Sequence, residues 1–116
     1  MNGLNIIAVI PTNKRAAVLS RAFTSVELQT MKPDLILIVI EEGNDISQIK
    51  INDRVKIITN ERMRSLSGAV NHALGEIAKL CAENEWDETL TWIALLDDDD
   101  WWDPRYIEKC VNAMGS

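Results

Sequence analysis

Apolar residues in this chain gather in short unbroken runs that alternate with stretches of helical periodicity. Asn5-Ile6-Ile7-Ala8-Val9-Ile10 is β-branched and apolar, without alternation, and stops at Pro11. Such a run suits a strand covered on both faces. From Ala16 the apolar positions Val18, Leu19, Ala22, Phe23 and Val26 recur at helical spacing up to Lys32-Pro33, which predicts an amphipathic helix. Leu35–Ile40 and Val55–Thr59 read as a second and a third strand. Leu66, Val70, Ala73, Leu74, Ile77, Leu80 and Cys81 predict a long helix, with Ser65 or Ser67 placed to cap it. Thr91–Leu96 reads as a fourth strand running into Asp97, and Pro104 as the first residue of a last helix reaching about Ala113. Strands joined by helical crossovers imply an α/β fold with a mainly parallel, doubly wound sheet. With no repeat or linker, residues 1–116 are expected to form a single domain.

Charge narrows the function. Lys and Arg number 12 against 18 Asp and Glu, a net −6, and five of those acids are Asp97 to Asp100 and Asp103. The acidity is therefore local, and it argues against nucleic acid as a partner, since that binding needs basic patches. Cys81 and Cys110 have no CxxC spacing, as expected of inert thiols in a reducing compartment. No apolar run is long enough for a transmembrane helix and the first residues lack the basic start of a secretory signal, so a cytoplasmic location is expected.

Ligands of open α/β sheets bind beyond the carboxyl ends of the strands. Those ends carry Pro11-Thr12-Asn13-Lys14-Arg15, Glu41-Glu42, Asn60-Glu61-Arg62 and Asp97-Asp98-Asp99-Asp100. Four successive carboxylates repel one another unless a cation compensates. Hard oxygen donors favour Mg²⁺ or Mn²⁺ and leave positions free for phosphate oxygens. A solvated acidic loop capping the next helix is the plainer reading of the same residues. Arg15, Arg62 and Arg64 are candidates to hold a diphosphate, and Glu42 to accept from a base or ribose. His72 has no Ser or Cys partner at recognisable spacing. Trp86 and Trp92 read as core; Trp101 and Trp102 are divided between core and cleft.

In order and spacing these residues resemble the nucleotide-sugar-dependent glycosyltransferases of family 2, with the GT-A fold. Ile10-Pro11-Thr12-Asn13-Lys14-Arg15 is similar to the opening strand and turn, and Ser25-Val26-Glu27-Leu28-Gln29-Thr30 to the end of the first helix. Val39-Ile40-Glu41-Glu42-Gly43-Asn44 stands where the family usually has two aspartates, a glycine and a serine. Asn60-Glu61-Arg62 through Leu66-Ser67-Gly68-Ala69-Val70-Asn71 is similar to the segment entering the second helix, and Leu96 to Pro104 resembles the DXD region.

The resemblance implies a nucleotide diphosphate sugar as ligand, a UDP-sugar being favoured. Thr12, Asn13 and Glu42 would contact the base, Asp98 the ribose, and Asp97 and Asp99 the metal and diphosphate. Pro11, Arg15, Ser67 and Asn71 complete the implied nucleotide-sugar site. It further implies that the chain is the donor-binding half of a GT-A domain, the acceptor site and catalytic base lying in a half that normally follows. The catalytic residues are therefore unassigned, and an exposed face is expected to favour homo-oligomers. The alternatives are a non-catalytic nucleotide-sugar-binding module and a nucleotidyltransferase, though the glycine-rich phosphate loop of the latter is absent after strand one.

Overall fold

The computed structural model describes residues 4–12, 16–44, 46–47, 49–62 and 65–114. In chain order it contains β1 (Asn5–Thr12), α1 (Ala16–Glu27), β2 (Leu35–Ile40), β3 (Val55–Thr59), α2 (Leu66–Asn84), a 3₁₀ turn at Glu88–Leu90, β4 (Thr91–Leu95) and α3 (Tyr106–Met114). The sheet order is β3-β2-β1-β4, and every pairing is parallel. This is the expected α/β architecture, a Rossmann-like layer compatible with the GT-A fold.

The unbroken apolar runs are explained by two cores. Ile6, Ala8 and Ile10 of β1 and Ile36 and Ile38 of β2 pack against Leu19, Ala22, Phe23 and Val26 of α1 and Ile107 and Val111 of α3. The intervening Ile7, Val9, Leu37 and Val39 pack on the opposite face against Ala69, Ala73, Ile77 and Cys81 of α2. Central strands covered on both faces need no polar alternation.

Several expectations shift. β1 continues past Pro11 to Thr12. Its ladder with β4 ends at Val9↔Leu95, where Leu96 N–H donates to Val9 O at 2.9 Å. Pro11 faces the same side two residues on, beyond the last rung, so its missing N–H costs no ladder bond. α3 begins at Tyr106, because Asp103 Oδ1 accepts from Arg105 N–H at 2.8 Å and Tyr106 N–H closes a turn on Asp103 O at 2.9 Å.

Ser65, not Ser67, caps α2: its Oγ accepts from Gly68 N–H at 3.0 Å. The helix packs through small residues, leaving Leu66 and Leu74 exposed at 57% and 47%. Trp92 is not core but 46% exposed. It lies with Ile93 and Leu95 on β4, which takes the outer position in the sheet.

Candidate functional site

At the carboxyl ends of β1, β2 and β4 the chain forms a cleft of about 250 Å³, closed on one side by the start of α2. Pro11 and Thr12, Glu41, Ser65, Leu66 and Ala69, and Asp97, Asp98 and Asp99 line it. The sheet topology makes these residues meet. β1 is central, β2 and β4 flank it in parallel, and each therefore delivers its next residues to one edge.

The floor is a buried polar contact. Thr12 Oγ1 donates to Asp98 Oδ2 at 2.6 Å, and the two residues are 5% and 6% exposed. Thr12 continues the β1 face of Ile6, Ala8 and Ile10, while Asp98 follows β4 by three residues. The bond thus ties the acidic segment to the sheet. Asp97 and Asp99 are exposed and also line the cleft, whereas Asp100 turns to accept from Trp101 N–H at 2.9 Å. Asp100 N–H donates to Asp97 O at 3.1 Å, folding the run into a tight turn.

Glu41 forms the wall at the end of β2. It is 6% exposed, and its Oε2 accepts from Asn60 Nδ2 at 3.0 Å. Asn60 is oriented in turn by Arg62 N–H, which donates to its Oδ1 at 2.9 Å. Asn44 Oδ1 accepts from Glu41 N–H at 2.8 Å, closing the turn through Gly43. Gly43 has φ +90°, a conformation that an L side chain rarely adopts. Glu42 is exposed in that turn and is not among the cleft-lining residues.

Of the sequence-derived candidates, the structure brings Pro11, Thr12, Asp97, Asp98 and Asp99 together. Ser67 and Asn71 are exposed on the first turns of α2 and are not lining residues; Ser67 Oγ stands 3.4 Å from Ser65 Oγ. Asn13, Arg15 and Arg64 lie outside the described residues. Arg62 is exposed and His72 half-buried on α2. The sequence reading puts Glu41 at the strand ends but gives the base contact to Glu42, and it does not name Ser65, Leu66 or Ala69 as site residues. For Glu41 the missed signal was the period of two along β2, which sets it on the face of Leu37 and Val39, under α2.

The electropositive amide end of α2 opens on the cleft opposite the carboxylates, an arrangement suited to holding an anion between helix and acidic turn. Among the described residues no three His, Cys, Asp or Glu side chains form a complete metal-holding group. Asp97 and Asp99 offer hard oxygens on one wall, and such a partial set fits Mg²⁺ or Mn²⁺ when phosphate oxygens and water complete the shell.

Outside the cleft, the backbone amide of Arg105 holds the Asp103 carboxyl below its ordinary value. Hydrogen bonds from Arg105 and Thr30 do the same for Glu108. Burial raises the Tyr106 hydroxyl, with Cys110 adding to the shift. Among the described residues no helix is long and apolar enough to cross a membrane.

Comparison with curated proteins finds no match. The model of the family described as Glycosyl transferase family 2 matches residues 7–116, nearly the whole length, so the chain belongs to glycosyltransferase family 2 and carries its glycosyltransferase-like, nucleotide-sugar-binding domain.

Proposed function

We propose that this chain binds a nucleoside diphosphate sugar in the cleft at the strand ends, with a divalent cation held between Asp97, Asp99 and the diphosphate. The observation that carries the reading is the buried Thr12–Asp98 contact, with Asp97 and Asp99 lining the same cleft as the α2 amino terminus. Family membership supports it, since family 2 glycosyltransferases commonly use divalent metals.

In this reading Asp98 accepts from a ribose hydroxyl, and the first-turn amides of α2, helped by Ser67, hold phosphate oxygens. Thr12, Asn13 and Glu41 contact the base, with Glu41 taking the part that the sequence suggested for Glu42. Glu41 Oε2 is already engaged by Asn60, so one oxygen is left to accept a ring N–H. That suits the single imide donor of uracil better than the paired donors of guanine, and a UDP-sugar is favoured. Pro11 and Leu66 give the base an apolar rim; Arg15 and Asn71 are assigned to the same site by the family resemblance of the sequence.

When bound, Mg²⁺ or Mn²⁺ supplies a Lewis acid for charge developing on the departing diphosphate. Asp97 and Asp99 orient that end of the ligand, and Asp98 fixes the nucleoside end. Glycosyl transfer also requires a general base within hydrogen-bond reach of the acceptor hydroxyl, and none is assigned here. The residues named above serve the donor, within one domain proposed to span residues 1–116. Free Cys81 and Cys110 support a reducing, cytoplasmic setting. The exposed Trp92, Ile93 and Leu95 along the outer strand support pairing with a second copy.

Calorimetric titration of UDP and GDP, each with Mn²⁺ and with chelator, tests the reading. Binding of UDP that strengthens with Mn²⁺ supports it. Equal affinity in both conditions, or no binding of either nucleotide, refutes it.

A further inference from the structure

Arg21, Ser25 and Gln29 stand four residues apart, and therefore one above another along the edge of α1 and the turn that extends it. Each grips backbone in the single segment that carries the aspartates into α3. Arg21 Nη2 donates to Asp99 O at 3.4 Å, and its guanidinium lies 4.4 Å from the centre of the Trp101 ring. Ser25 Oγ accepts from Trp102 N–H at 3.1 Å. Gln29 Nε2 donates to Asp103 O at 2.7 Å, and Gln29 Oε1 accepts from Ile107 N–H at 2.9 Å. Gln29 is only 2% exposed, a buried amide with both ends committed to the segment 103–107.

The apolar stripe of α1, Leu19, Ala22, Phe23 and Val26, already packs this helix on the sheet. The polar ladder beside it serves the acidic segment. That segment leaves β4 at Leu95, and the side-chain bond from Thr12 to Asp98 ties its carboxylates to the sheet. Any part of the turn left loose would have to be ordered when ligand arrives, and that ordering weakens binding. Main-chain grips at Asp99, Trp102, Asp103 and Ile107 fix the turn beforehand.

We propose that Arg21, Ser25 and Gln29 are positioning residues that hold Asp97 and Asp99 in their cleft-lining orientation before metal and nucleotide bind. The proposal rests on the metal-assisted nucleotide site proposed above. The ladder then sets the coupling between cation and nucleotide, beyond any part it has in stability. A purely structural staple would lower stability and leave that coupling unchanged.

The test uses UDP and MnCl₂ on the native chain and on Ser25→Ala, Ser25→Thr and Gln29→Met. In Ser25→Ala and Gln29→Met the gain in UDP affinity produced by Mn²⁺ falls about fivefold or more, while affinity in chelator changes less than about twofold. Ser25→Thr keeps the hydroxyl and restores the gain. Without metal or nucleotide, amide exchange of Asp99 to Trp102 quickens in Ser25→Ala, while the β1 and β2 amides stay protected. If Gln29→Met does not fold, the Ser25 pair decides. A native chain that shows the gain, with variants that match it or lose affinity equally with and without Mn²⁺, overturns the ladder alone. A native chain with no Mn²⁺-dependent gain overturns the metal reading and this proposal with it.

Discussion

Thr12→Val isolates the contact on which the cleft is built. Valine keeps the shape and β-branching of threonine, so the substitution removes a hydroxyl with little change in packing. The lost bond is the 2.6 Å donation to Asp98 Oδ2, between residues 5% and 6% exposed. A hydrogen bond to a carboxylate contributes about 1.5–3 kcal/mol, and water cannot readily replace the donor at a buried position. For a domain of this size that corresponds to a fall in Tm of roughly 6–12 °C. Urea unfolding followed by tryptophan fluorescence reads the change directly: Thr12→Val should move the midpoint without changing the slope. Thr12→Ser, which retains the donor, should lose less than half as much. In a double-mutant cycle with Asp98→Asn the two losses should fall short of adding. A Thr12→Val protein within about 0.5 kcal/mol of native, the scatter of ordinary surface changes, would mean that the bond contributes nothing to stability.

Other outcomes follow from the same geometry. Glu41→Ala should weaken UDP binding about tenfold, about 1.4 kcal/mol, whereas Glu42→Ala, exposed in the Gly43 turn, should leave it almost unchanged by calorimetry. Asp103 and Glu108 are both held below their ordinary values of 3.8 and 4.5, so the stability they contribute is complete above those values. It is lost as pH falls through the lowered ones; thermal melts should therefore be flat near neutrality and decline in acid, and because Asp103 is exposed and Glu108 only half-buried, added salt should shrink the effect. Sedimentation should show self-association of the native chain that Ile93→Lys, a charge on the outer strand, abolishes.

The central strands were legible because burial on both faces leaves a continuous apolar signature, as in Ile6 to Ile10 and Leu35 to Ile40. The same signature misleads at Thr91 to Leu95, where composition cannot distinguish a central strand from an outer one, and Trp92, which the apolar run predicts as core, is 46% exposed. The acidic run was visible at once. Which of its carboxylates goes inward depends on the turn after β4 and on Thr12, a partner 86 residues away, beyond the reach of any local pattern. Glu41 was recoverable by counting alternate positions from Val39. Gln29 was recoverable too: it continues the register of Ala22 and Val26, and a polar residue in an apolar register marks a buried group whose bonds are satisfied.

Nucleotide and cation, in the function proposed, share the cleft between the acidic turn and the start of α2. Mn²⁺ is paramagnetic and broadens the amide resonances nearest to it. A ¹⁵N-resolved spectrum of the native chain, saturated with UDP and titrated with substoichiometric Mn²⁺, therefore locates the ion. Asp97, Asp98 and Asp99 should broaden first, then Thr12 and Ser65 to Ala69, while the outer face of α3 stays sharp. Broadening centred on Asp103 and Glu108, or spread evenly over the acidic surface, would contradict that placement.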